Sequence, residues 1–226
     1  MKALIVADGD VPADVLGHPL LTAAEPELVV AADGGALKAE ALGLRVGVVV
    51  GDLDSLTPAD VARLAAGGTE VLRHPAAKNE SDTELALLEA RRRGARVMFV
   101  IGALGGSRFD HALANVLLLG LPALADCEVV LLDAAGSVRA LGGRGPASVE
   151  VEGRSGDVVS LLPLSTQVEG VSTEGLAYPL SDEPLAQGPT RGLSNVLLRE
   201  RATISLRAGR LAVIHHAPAG PESADV

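Results

Sequence analysis

Over the first 135 residues, short apolar runs alternate with longer stretches in which apolar and polar positions mix. The runs lie at 3–6, 28–31, 46–50, 97–101 and 129–132. They are built from Val, Leu, Ile and Ala with almost no polar alternation, the pattern of strands covered on both faces. Between them, the spacing of apolar positions predicts helices near 36–42, 58–66, 82–93 and 110–119. Strand and helix in strict alternation predict βα units around a mainly parallel sheet. Thr57-Pro58 reads as an N-cap followed by Pro at the first helical position. Ser81 and Glu84 have the spacing of a capping box.

The pattern changes near Gly136. Gly142-Gly143-Arg144-Gly145-Pro146 reads as a loop or linker. Beyond it, short strand-like pieces at 148–151, 157–162, 168–171, 195–198, 203–206 and 211–215 are separated by Gly, Pro, Ser and Asp. These predict a smaller all-β sandwich or barrel. The expected division is an α/β domain over 1–136, a β domain over 137–216 and a disordered tail over 217–226.

Composition narrows the function. The chain has 226 residues, 48% of them hydrophobic but only 1% aromatic, so its cores must be aliphatic. A net charge of −10 argues against a general nucleic-acid or acidic-membrane binder. The single cysteine, Cys127, excludes an intrachain disulfide and suits a reducing cytoplasm. No apolar stretch approaches the length of a membrane span, and the N-terminus lacks a signal-peptide core. Val- and Leu-rich strands that can pair between chains make a homodimer the expected assembly.

Four segments put chemistry where predicted strands stop. In Gly51-Asp52-Leu53-Asp54-Ser55, two carboxylates offer hard oxygen ligands of the kind Mg²⁺ takes. They can share an ion only if the chain turns there, because alternate residues of a strand face opposite ways. A solvated acidic turn is the plainer reading. Asp33-Gly34-Gly35 allows a ligand to approach the backbone, or is simply a turn with an N-cap aspartate. Lys78-Asn79-Glu80-Ser81-Asp82 leads into a helix whose first turn favours an anion at Asp82. Lys78 gains nothing from that dipole and can neutralise phosphate. The fourth segment, Gly105-Gly106-Ser107-Arg108-Phe109-Asp110-His111, leads glycines into a helix N-terminus, with Arg108 able to grip phosphate. Asp110 reads as an N-cap or as a metal or hydroxyl partner, and His111 as a ligand contact or a helix residue.

Taken in order, these segments resemble the thiamine pyrophosphokinase (thiamine diphosphokinase) family. Thr173-Glu174-Gly175-Leu176-Ala177-Tyr178-Pro179-Leu180 and Gly192-Leu193-Ser194-Asn195 are similar to it as well. The resemblance implies an N-terminal α/β domain, a C-terminal β-sandwich and a homodimer. It implies transfer of pyrophosphate from ATP to the hydroxyl of thiamine, releasing AMP. It implies Mg²⁺ at Asp52, Asp54 and Asp82, with Asn79 where the family usually carries another Asp. Nucleotide contacts fall to Asp33, Gly34, Gly35, Lys78, Ser107, Arg108, Asp110 and His111, and the thiamine pocket to Tyr178, Ser194 and Asn195. Lys78 and Arg108 would stabilise charge, and Asp54 or Asp82 would take the hydroxyl proton. Ser81 stands where the family has Thr, and Tyr178 where many relatives have Trp. Two other readings use the same residues: a pyrophosphokinase for another hydroxymethyl heterocycle such as a pterin, and a catalytically silent nucleotide- or thiamine-binding protein.

Overall fold

The computed structural model describes residues 1–134 and 136–217. The tail expected at 217–226 lies, apart from residue 217, outside the described residues. The described residues form two compact units, one from residues 1–118 and 126–134 and the other from residues 119–125 and 136–217.

In the first unit, strands β1 (Lys2–Val6), β2 (Leu28–Ala32), β3 (Val48–Gly51), β4 (Glu70–Arg73), β5 (Val97–Ile101) and β6 (Glu128–Asp133) run in the order β6-β5-β1-β2-β3-β4. Every pairing among them is parallel. Helices α1 (Pro19–Thr22), α2 (Gly35–Ala41), α3 (Pro58–Ala66), α4 (Asp82–Arg92) and α5 (Phe109–Leu118) accompany the strands. One core, aliphatic except for Phe99, holds Leu4, Val6, Ala31, Val49, Ile101 and Val130. Each fully buried Val, Leu or Ile side chain contributes about 1.5–3 kcal/mol, so the near-absence of aromatics costs this core nothing essential.

Register decides where the strands end. Val6 lies beside both Ala31 and Ile101, and Ala32 beside Val50. The carboxyl ends of β1, β2, β3 and β5 therefore share one edge, where open α/β sheets take their ligands. Helix starts along this edge are built by local chemistry. Thr57 Oγ1 accepts from Asp60 N at 3.2 Å while Thr57 N donates to Asp60 at 3.1 Å, a complete capping box. The box expected at Ser81 and Glu84 is half formed. Ser81 Oγ accepts from Glu84 N at 3.2 Å, but the Glu84 carboxylate makes no return bond. The sequence pattern passes over β4, an edge strand whose Glu70 and Arg73 are exposed and which has no apolar run to mark it.

The second unit is antiparallel throughout. It contains β7 (Gly136–Gly142), β8 (Ala147–Glu152), β9 (Val158–Pro163), β10 (Gln167–Glu174), β11 (Glu183–Ala186), β12 (Asn195–Val196), β13 (Arg201–Leu206) and β14 (Arg210–His216). Four strands lie in the order β12-β9-β14-β7, and a separate sheet has the order β11-β10-β13-β8. The two layers enclose Val159, Leu161, Val171, Ile204, Leu206, Leu211 and Val213, the arrangement of a sandwich. This matches the expected α/β unit followed by an all-β unit. Among the described residues, no helix is long and apolar enough to cross a membrane.

Candidate active site

The loops at the carboxyl edge of the first unit surround a cleft of about 440 Å³. Its floor is acidic. Asp33 follows β2, Asp52 follows β3, and Asp82 opens α4. Each of these three offers an oxygen, and the oxygens lie within 4.8 Å of one another.

Local backbone chemistry brings them together. Asp52 Oδ1 accepts from Asp54 N at 3.3 Å, and Leu53 takes φ of 62°. That Asx turn bends the chain as it leaves β3. Asp33 also has a left-handed backbone, with φ of 46°. Strain at both positions, of order 1 kcal/mol each, is typical of sites that hold a fixed geometry. Gly51 leaves room for this convergence. A Cβ on it would stand 3.0 Å from Asp82 Oδ1 and 3.2 Å from Asp33 Cβ, inside the space that the carboxylates share.

The electrostatics are unbalanced without a cation. Asp33 is buried, and its Oδ2 accepts from Ser55 N at 3.3 Å. Its Oδ1 has no hydrogen-bond donor, and neither does Asp82 Oδ1. Burial pushes the Asp33 carboxyl up, the Ser55 bonds oppose this, and the charges of Asp82 and Asp54 add to it. Lys78 stands between the other two, with Nζ 3.0 Å from Asp82 Oδ1 and 3.4 Å from Asp52 Oδ2. Burial pulls the ammonium pKa down, but Asp82 and Asp52 outweigh it and hold the value above normal. The 3.0 Å contact is a charge contact without hydrogen-bond geometry, so Asp82 Oδ1 remains without a directed donor. Clustered carboxylates with orphaned buried oxygens fit a hard divalent cation, which takes oxygen ligands and removes both the repulsion and the unmet bonds.

The other expected residues fall into place around this floor or away from it. Asp54 lines the cleft but stands outside the group of three, with Oδ1 accepting from Ser55 Oγ at 3.3 Å. Asn79 is exposed and is not among the lining residues. Ser107, Arg108 and His111 also line the cleft. The Arg108 guanidinium is exposed and paired with Asp110, at 2.9 Å and 2.7 Å, which holds the Asp110 carboxyl at about 2. Asp110 lies within the first turn of α5, not at its N-cap. Gly34 and Gly35 pack tightly against β1 and its loop, where added Cβ atoms would meet Asp8 Oδ1 at 2.6 Å and Val6 O at 2.1 Å.

Part of the wall was not singled out in the sequence. Asp8, Gly9 and Asp10, after β1, line the cleft, as does the buried Asn115, whose Nδ2 donates to Ala103 O at 2.9 Å. Asp8-Gly9-Asp10 follows an apolar run just as Asp33-Gly34 and Gly51-Asp52 do, so the same signal marks it.

In the second unit, Leu161, Tyr178, Leu180, Leu193, Ser194 and Asn195 line a pocket of about 170 Å³. Tyr178 is 64% exposed. Asn195 is buried and fully engaged: Oδ1 accepts from Tyr178 N at 3.0 Å and Val196 N at 2.9 Å, and Nδ2 donates to Tyr178 O at 2.7 Å. It clamps the Tyr178 loop. Ser194 has φ of 58°, and its N–H donates to Ser160 Oγ at 3.0 Å.

Comparison with known proteins agrees with this layout. The model of the thiamin pyrophosphokinase catalytic domain matches residues 21–131, and that of the thiamin pyrophosphokinase vitamin B1 binding domain matches residues 148–211. Thiamine pyrophosphokinase of Bacillus subtilis is 26% identical over 198 residues, covering 87% of each chain. The crystal structure of thiamine pyrophosphokinase from Bacillus subtilis aligns with a TM-score of 0.79 at 27% identity, over 97% of this chain and 100% of that one. That of thiamin pyrophosphokinase from Geobacillus thermodenitrificans aligns with a TM-score of 0.78 at 28% identity, over 97% of this chain and 99% of that one. With the α/β unit and the β unit each matched by a domain of the same enzyme, the chain belongs to the thiamin pyrophosphokinase family.

Proposed function

We propose that the acidic cleft binds ATP with a divalent cation such as Mg²⁺, and that the Tyr178 pocket takes thiamine, which receives the pyrophosphoryl group. The observation that carries this reading is the pair of buried oxygens without donors, Asp33 Oδ1 and Asp82 Oδ1, beside Asp52 and Lys78. Asp33, Asp52 and Asp82 would hold the cation, which supplies charge neutralisation to the phosphates when bound. The hydroxyethyl oxygen of thiamine forms a bond to the β-phosphorus. The bond from that phosphorus to the oxygen bridging it to the α-phosphorus breaks, and that oxygen leaves with AMP. Such a step needs alignment and charge stabilisation more than covalent catalysis. Lys78, beside Asp52 and Asp82, and Arg108, in the lining of the cleft, would present positive charge to the phosphates. Asp54, in the cleft but outside the group of three, accepts the hydroxyl proton. Tyr178 offers an exposed ring for stacking on a heteroaromatic substrate, and Asn195 holds its loop.

A homodimer belongs to the same proposal. Phe109, Leu113 and Leu117 are exposed at successive turns of α5, an apolar stripe that a second copy would cover. Sedimentation velocity reads this directly, and a monomer at micromolar concentration would remove it.

The activity is tested by incubating the protein with Mg-ATP and thiamine and following AMP and thiamine diphosphate. The expected result is equimolar formation of both, abolished by chelation of the metal. AMP formation with a hydroxymethyl pterin but not with thiamine would reject the acceptor. ATP binding without AMP release for any acceptor would reject catalysis.

A further inference from the structure

We propose that Lys38 is a positioning residue for the nucleotide, acting through the backbone of the loop after β1. The inference rests on the ATP reading of the cleft. Lys38 sits on α2 and is not among the residues lining the cleft. Its ammonium donates to the carbonyl of Asp8 and, at 2.6 Å, to that of Gly9, and it pairs with Asp8 Oδ1 at 3.1 Å. An ammonium has three donors, and here all three acceptors belong to one loop. That loop, with Ala7, Asp8, Gly9 and Asp10, forms a wall of the cleft.

The other side of the loop has no slack. Ala7 N donates to Ile101 O and Gly9 N to Gly102 O, each at 2.9 Å. A Cβ on Gly9 would stand 2.3 Å from Gly102 O and 2.5 Å from Gly105 O. The loop is thus pressed against the glycine segment that leads to Ser107 and Arg108, and Lys38 closes it from behind. Lys38 also neutralises Asp8, in a cleft that already carries Asp10, Asp33, Asp52, Asp54 and Asp82 and has to admit a polyphosphate. None of its contacts reaches the three-carboxylate group. Losing them should therefore weaken nucleotide binding and leave the transfer step alone.

The test is steady-state kinetics of the full chain with Mg-ATP varied at saturating thiamine, together with calorimetric titration of Mg-ATP. Lys38→Met is expected to raise KM and Kd for ATP by about tenfold while kcat stays within about twofold. Lys38→Arg, which keeps the charge and several donors, is expected to recover most of that loss. Unchanged KM and Kd with only a lowered melting temperature would reduce Lys38 to a brace and overturn the proposal. So would a fall in kcat that matches the fall in kcat/KM. If Lys38→Met does not fold, Lys38→Gln is read by the same criteria. A wild type that binds Mg-ATP and releases no AMP sinks the transfer reading while the Kd comparison still decides Lys38. A wild type that turns over, with Lys38→Met equal to it, does the reverse.

Discussion

The acidic cleft and the Tyr178 pocket treat buried polar groups in opposite ways. In the first, Asp33 Oδ1 and Asp82 Oδ1 are buried without a hydrogen-bond donor, and the backbone bends into left-handed conformations at Asp33 and Leu53. Beside the second, Asn195 has both amide atoms engaged and Ser160 caps the N–H of Ser194. Buried polar atoms nearly always have a hydrogen-bond partner in folded proteins, so clustered carboxylate oxygens without a directed donor mark a place suited to a cation. A pocket whose buried amide is already engaged selects more by shape and by stacking on an exposed ring. One region suits ions and phosphate; the other offers an exposed aromatic ring and aliphatic side chains to a flat ring system.

The sharpest way to break this contrast is Asp82→Ala. Removing one of the three carboxylates is expected to lower kcat/KM by about a thousandfold, on the order of 4 kcal/mol of transition-state stabilisation. Thiamine binding measured by calorimetry should stay within about twofold. Loss of both would mean that the two sites are not separable.

Asp33→Asn probes the crowded charge in the cleft. Activity should fall by about a hundredfold, while the melting temperature of the metal-free protein rises by roughly 3 °C because a buried, crowded charge is gone. The sign in pH follows from the raised Asp33 pKa, caused first by burial. The folded state binds this proton more tightly than the unfolded state. The contribution of Asp33 to stability is therefore most favourable below the ordinary Asp range and declines as pH rises through that range to the raised value. Asp33→Asn should flatten this decline in a chelated sample. A steeper decline would contradict the placement of the charge.

Tyr178→Ala acts on the other side. It should raise KM for thiamine by about tenfold, a stacking loss of about 1.4 kcal/mol, and leave KM for ATP unchanged. A shift in the ATP constant instead would erase the division between the pockets. The smallest effect is expected for Asn79→Asp. Asn79 is exposed and away from the lining of the cleft, so the Mg²⁺ concentration for half-maximal activity should move by less than about twofold. A large gain would make this position a ligand and widen the acidic region beyond Asp33, Asp52 and Asp82.

Much of the architecture is written in local pattern. β5 and α3 occupy the residues their periodicity predicts, at Val97–Ile101 and Pro58–Ala66, because long apolar periodicity and a proline-led N-cap leave few alternatives. β4 and β11 are short edge strands, and β7 follows a turn without a clear apolar run, so pattern reading passes over all three. β7 takes its partner, β14, from far along the chain, and β4 and β11 close on the strands just before them, so their strand character comes from pairing. The half-formed box at Ser81 and Glu84 makes the same point at the level of one side chain: spacing permits the return bond, and packing around Glu84 decides whether it is made.

Residue types and strand ends alone placed acids, glycines, a Lys and an Arg along one edge of a parallel sheet, because side-chain chemistry and hydrophobic period are local properties. Only the tertiary structure decided which carboxylates converge. Asp52 and Asp54 are neighbours in sequence, yet Asp33 and Asp82 are the ones that join Asp52, since β2 lies beside β3 and α4 opens above them. It also decided that Lys38 grips the Asp8–Gly9 backbone from thirty residues away, and that Asn195 serves the Tyr178 loop. Convergence of this kind depends on strand register and on turns of a few residues, and free energies of that size are settled by the whole packed fold.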